Sequence, residues 1–113
     1  MNVNASLIVT IVRKGWGSSV LQASVKAGAR GGTVMFGRGV GVHEKEKIFG
    51  MSIEPEKEVV LTMVHTDQVD TILDEIVRAA DLDAEGHGMA FVLPVHKVVG
   101  VADSMLFDVT PPQ

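Results

Sequence analysis

A chain of 113 residues with 46% hydrophobic content, no cysteine and a formal charge of −4 is long enough for one packed domain and too acidic for a nucleic-acid surface. The missing cysteines exclude disulfides and thiolate metal sites, and four Phe, one Trp and no Tyr leave no platform on which bases stack. No charged leader opens the chain and no apolar run approaches the ~18 residues of a membrane span, so the expectation is one domain over residues 1–113, without membrane insertion and in the cytoplasm.

Ser6 to Val12 is apolar and β-branched with almost no alternation, which predicts a central strand covered on both faces. Gly15-Trp16-Gly17 breaks it, and Ser18 or Ser19 is placed to cap a following helix. Leu21, Ser24, Val25 and Gly28 share one face of that helix, and Gly28 with Gly31-Gly32 stops it. A short strand over Gly32 to Phe36 leads into a long polar loop, 37–55, closed by Pro55. Lys57 to Val64 predicts a second covered strand. Thr66-Asp67 then caps the clearest helix in the chain, with apolar Val69, Ile72, Leu73, Ile76, Val77 and Ala80 at i, i+3, i+4, i+7, i+8 and i+11. Asp67 and Asp70 suit its dipole. After a turn over Asp81 to Gly88, Met89 to Leu93 is the fourth strand. Pro94 interrupts it, Val95 to Val101 extends it at an edge, and a loose tail is expected from about 103 to 113.

The order β-α-β-loop-β-α-β predicts an α+β fold, a ferredoxin-like βαββαβ sandwich with a long loop between strands 2 and 3. That fold serves many functions. A domain of this size buries only about two-thirds of its unfolded surface, so self-association would stabilise it.

Seven of the twelve glycines fall between Gly28 and Gly50, and charge alternates through His43, Glu44, Lys45, Glu46 and Lys47. A long polar loop in a compact domain is functional or disordered. At its entry, Gly37-Arg38-Gly39 could cradle an anion between backbone N–H groups and a forked cation; a hinge is the equal alternative. No helix follows to make it a dinucleotide fingerprint. Gly86-His87-Gly88 is a similar small nest. The four histidines lack metal-ligand spacing, so no metal is expected. No serine has the context of a nucleophile, so an enzyme is the weaker reading.

The segment VDTILDEIVRAADLDAEGHGMAFV, Val69 to Val92, resembles without a gap the second helix, nucleotide-binding loop and fourth strand of the PII nitrogen-regulatory family. The first helix ending in AGARGGTV and the Gly37-Arg38 pair extend the likeness over nearly the whole chain. The resemblance implies a homotrimer whose long loop, the T-loop, docks on partner proteins, with adenine nucleotides and 2-oxoglutarate bound in clefts between subunits. It implies ligand contacts at Gly31, Thr33, Gly37, Arg38, Gly39, Val64, Gly86, His87, Gly88 and Met89, and partner contacts at His43, Glu44, Lys45, Glu46, Lys47 and Phe49.

Several positions depart from the family pattern. Its phosphate-binding lysine is Met89 here, its two C-terminal arginines fall at Gly100 and Ala102, and its glutamine after Gly-Arg is Gly39. Each lost charge-assisted phosphate bond removes on the order of 1.5–3 kcal/mol. Without tyrosine, uridylylation of the loop is excluded. The expected protein is a non-catalytic trimeric regulator in nitrogen or carbon metabolism, needing no cofactor. It senses a small ligand (ATP, ADP or AMP at a weakened phosphate site, or another small anion) and regulates an enzyme or membrane transporter through its loop. The alternatives are a sensor of AMP, ADP or bicarbonate, with His87 reporting pH, and a weak nucleotide-processing enzyme.

Overall fold

A computed structural model describes residues 2–41, 47–48, 51–52, 54–100 and 109–110, with side chains over 4–41 and 54–100. Four strands, β1 (Ala5–Arg13), β2 (Thr33–Arg38), β3 (Glu56–His65) and β4 (Gly88–Val95), form one antiparallel sheet in the order β2-β3-β1-β4. Helices α1 (Gly17–Lys26) and α2 (Val69–Ala80) complete the expected ferredoxin-like order.

The central pair β1–β3 runs in register from Ala5 opposite His65 to Arg13 opposite Lys57. Because side chains alternate across a strand, Ile8 and Val12 of β1 share a face with Val60 and Val64 of β3. These four are fully buried and join Val20 of α1 and Ile72, Ile76 and Ala80 of α2 in one core. The apolar stripe read for α2 is the buried one. Thr10 and Thr62 are also fully buried on this face, and neither hydroxyl finds a partner among the described residues.

Helix α1 corrects the sequence reading in two ways. Its cap position is Trp16, without a side-chain hydrogen bond, and Ser18 and Ser19 lie inside the helix, exposed. The capping acceptor comes instead from β3: the Glu58 carboxylate accepts from the backbone N–H of Gly15 (3.1 Å) and of Gly17 (2.7 Å). A Cβ on Gly17 would lie 2.3 Å from that carboxylate, so only glycine lets the helix start so close to the sheet. This contact also sets the helix rotation. Val20 and Ser24 face the core, and Val25 points outward with 45% of its surface exposed. The stop at Gly28 stands: its φ is +126°, and its N–H closes on Val25.

Other boundaries shift for similar reasons. The cap before α2 is the His65 side chain, which accepts from the N–H of Asp67 and opens a short 3-10 turn over Thr66–Gln68. Strand β2 runs on through Gly37 and Arg38, paired with Lys57 and Glu56, so the loop begins at Gly39. Within the loop, Lys47–Ile48 pairs with Met51–Ser52. Pro94 does not interrupt β4: it sits opposite Ser6 on an edge strand, where its missing N–H has no second neighbour to serve. Residues 96–100 carry no strand. The expected loose tail lies outside the described residues except Val109–Thr110, which pairs with Asn2–Val3.

The expectation of strands covered on both faces is met on one face. The other carries Leu7, Val9 and Ile11 across from Val59, Leu61 and Met63, flanked by Met35, Met89, Phe91 and Leu93. The last four are 38–55% exposed, and they form a contiguous apolar surface.

Replacing Glu58 with Ala leaves the buried N–H of Gly17 unsatisfied and the part-buried N–H of Gly15 to solvent, and the expected loss is about 1–3 kcal/mol in urea unfolding. Glu58→Gln retains a carbonyl acceptor and should lose less.

Candidate functional site

The loop is held at its root by the sheet. Gly37 and Arg38 are the last ladder residues of β2, Glu56 and Lys57 the first of β3, and the N–H of Gly39 donates to the Pro55 carbonyl at 3.1 Å. Because Arg13 pairs with Lys57 and Val12 with Gly88, the end of β1 and the start of β4 lie at the same end of the sheet. Gly37, Arg38, Gly39, Gly86, His87, Gly88 and Met89 are therefore gathered on one rim. The outer strands of that rim, β2 and β4, are three strand spacings apart, about 14 Å.

At the β2 side, Lys14, Phe36, Gly37, Arg38, Glu56 and Lys57 line a shallow groove of about 530 Å³. Lys14 Nζ meets Glu56 Oε2 at 2.8 Å, and the Lys14 N–H donates to the Glu56 carbonyl at 3.3 Å. The side-chain bond to Lys14, and secondarily the Arg38 charge, hold the Glu56 carboxyl below its ordinary 4.5. The same bond raises Lys14 above its ordinary 10.5. Phe36 is exposed over 76% of its surface.

At the β4 side, Gly86 and Gly88 have φ of +78° and +137°. A Cβ on Gly88 would lie 2.2 Å from the Ile11 carbonyl, so this turn requires glycine both for its dihedral and for its close approach. Arg13 Nε donates to the Gly86 carbonyl at 3.0 Å. The His87 ring turns back toward the end of α2, with Nδ1 3.4 Å from the Ala80 carbonyl and 3.8 Å from Asp81 Oδ2, and its centroid lies 6.2 Å from that of Trp16. Among the described residues, no three His, Asp or Glu side chains come together as metal ligands, and no helix is long and apolar enough to cross a membrane.

The family model for the nitrogen regulatory protein P-II matches residues 5–104. The chain belongs to the P-II family. It is similar to Arabidopsis thaliana PII, solved in a crystal structure bound to citrate, with 32% identity over 87% of this chain and 83% of that one and a TM-score of 0.68. Comparison with curated proteins gives no match.

Set against the P-II expectations, the ligand residues divide. Those of the loop root and of the Gly86–Gly88 turn share the rim. Gly31 and Thr33 do not: Thr33 starts β2 four residues before Gly37, about 13 Å along the strand. Val64 is farther still, opposite Ser6, and its side chain is fully buried in the helix-facing core. Met89 lies 55% exposed on the apolar face. Residues 43–46 and Phe49 fall outside the described residues, and Lys47 is described only as a backbone partner of Ser52. Sequence reading missed Lys14, Glu56, Glu58 and the bond from Arg13. No local motif marks them, because strand register makes these contacts.

The Lys14–Glu56 pair stabilises across a defined pH window. The Glu56 part is present above the ordinary carboxylate range and is lost as pH falls through the lowered value; the Lys14 part is lost as pH rises through the raised one. In a carbon-detected NMR titration, Glu56 should have its midpoint below the ordinary carboxylate value, and Lys14→Met should return it upward. A Glu56 midpoint that Lys14→Met leaves unchanged would remove the pair as a solution interaction.

Proposed function

We propose that this P-II protein is a non-catalytic signalling regulator that works as a homotrimer. A small anionic effector binds in clefts between protomers and biases the 39–55 loop, which docks on a partner enzyme or membrane transporter. The observation that carries the reading is the loop root: Arg38 is both the last ladder residue before the loop and a cation on the groove. An anion bound there acts directly on the hinge. For such a ligand to switch the loop, it must prefer one loop state over the other.

Two observations support the trimer. The apolar face carrying Leu7, Val59, Phe91 and Leu93 is contiguous across the sheet rather than scattered, the kind of surface that marks an interface, and a second copy is the partner we take for it. The family ligand positions are also spread along one strand, with Thr33 paired at the middle of β3 and Arg38 at its start, a spread that suits a cleft completed by a neighbouring protomer. Proteins of the family are in general trimeric regulators, which agrees with this.

The effector class follows from charge. Met89 and Gly100 stand where the family places phosphate-binding cations, which weakens the case for ATP relative to AMP, ADP, bicarbonate or a carboxylate anion. The citrate in Arabidopsis PII makes a small carboxylate a reasonable probe here. Nitrogen or carbon status is the signal that the family suggests. The groove offers cations and an acid already paired to one of them rather than a nucleophile with a base, which is why regulation is preferred to catalysis.

The test joins solution mass to thermal stability with ATP, ADP, AMP, 2-oxoglutarate, citrate and bicarbonate. A ligand at 100 times its dissociation constant should add about 2.7 kcal/mol. Arg38→Ala should abolish that gain and leave the trimer mass unchanged; a retained gain would mean that the effector binds elsewhere. Phe91→Glu places a charge on the apolar face and should yield monomers by light scattering. A monomeric unmodified protein would sink the trimer.

A further inference from the structure

Glu56 occupies an unusual place for an acid in an anion-binding groove. It is the first residue of β3, directly after Pro55 and directly opposite Arg38 on β2. Cross-strand neighbours of this kind stand about 5 Å apart at Cβ and interact when oppositely charged. From the turn after β1, Lys14 reaches Glu56 Oε2 at 2.8 Å and fixes its backbone carbonyl at 3.3 Å. Both cations and the acid line the same open groove. A carboxylate lying between two cations on a groove wall is, chemically, what one end of an anionic ligand would be at that place.

We infer that Glu56 is an internal competitor for this groove: a small multiply charged anion binds between Lys14 and Arg38 by displacing the Glu56 carboxylate. The inference rests on the reading that the loop root receives an effector, and it adds how the root responds. The ligand class is a compact di- or trianion, such as a tricarboxylate or pyrophosphate, which can satisfy two cations at once as a single carboxylate cannot. The exchange is feasible because both partners of the pair are more than half exposed, where an ion pair is weak and solvent-screened. Its consequence is local. Glu56 and Pro55 form the C-terminal root of the loop, and Pro55 accepts the hydrogen bond from Gly39 at the N-terminal root. An anion that removes Glu56 from Lys14 therefore alters the row of contacts that joins the two roots.

Calorimetry with citrate and with pyrophosphate on the full-length protein tests this. Glu56→Gln removes the competing charge. Glu54→Gln makes the same change in net charge two residues away, at an exposed position before Pro55, and controls for general electrostatics. Glu56→Gln should bind either probe roughly two- to five-fold tighter than Glu54→Gln, the range expected for releasing an exposed ion pair. In the unmodified protein, the amide signals of Lys14 and Gly39 should shift on titration with citrate. Equal affinities for the two variants would overturn the competition while leaving an effector site at Arg38 intact. No binding to Glu56→Gln would overturn it as well. Binding by Glu56→Gln with none by the unmodified protein would support the competition and count instead against the reading of the native protein as a sensor of these anions.

Discussion

The register between β1 and β3 is the constraint on which the other features depend. Nine residue pairs hold it, from Ala5 opposite His65 to Arg13 opposite Lys57. It places Glu58 opposite Val12, just before the chain turns at Lys14 and Gly15, so the carboxylate arrives beneath the first N–H groups of α1. It also places Glu56 beside Lys14, and through β2 it sets Arg38 across from Glu56. A slip of one residue would turn Glu58 to the opposite face and move Val60 and Val64 out of the core. The hydrophobic pattern of the core thus decides the electrostatics of the loop root. The burial of Ile8, Val12, Val60 and Val64 specifies the register, and the polar contacts inherit it.

This dependence explains what could be read from the residues alone. Helix α2 was legible because its signal is local: Ile72, Ile76 and Ala80 repeat at helical spacing and are the residues buried. The glycine turns were legible for the same reason, and Gly28, Gly86 and Gly88 all have positive φ. The caps were not. Ser18 and Ser19 have suitable chemistry for α1, but Glu58 from a distant strand takes the role, and His65 takes it before α2 ahead of Thr66. A tertiary acceptor at the helix start overrides a local preference worth about 1 kcal/mol. Pro94 misled for a related reason: proline is excluded from strands with two neighbours, and whether β4 has one or two depends on sheet order.

The candidate site divides along the same line. Gly37-Arg38 and Gly86-His87-Gly88 could be found as motifs, and the sheet gathers them on one rim. Lys14 and Glu56 have no motif, since their meeting is a product of register. Val64 is the converse case: a position carried over by resemblance has its side chain sealed between sheet and helices, so a ligand contact there would have to be made by its backbone. The His87 ring is turned toward the end of α2 and toward Trp16, contacts that tie the glycine turn to the helix layer.

The two faces of the sheet give the loop its mechanical setting. One face is closed by the helices and rigidly packed, and the other presents Met35, Met89, Phe91 and Leu93 outward. The groove at the loop root lies at the end of this sheet, where strand pairing stops and the chain departs at Gly39. Side chains there feel both the packed layer, through Lys14 in the turn between β1 and α1, and the loop, through Glu56 and Arg38. Charge at this point is partly offset within the chain: Glu56 pairs with Lys14 and stands opposite Arg38, and the groove as a whole keeps an excess of cations. Under the exchange proposed for Glu56, such a site favours ligands able to bridge Lys14 and Arg38 over ligands that merely carry charge. On that proposal selectivity arises from exchange at the root, and the energy needed to shift the loop comes from the same contacts that recognise the anion.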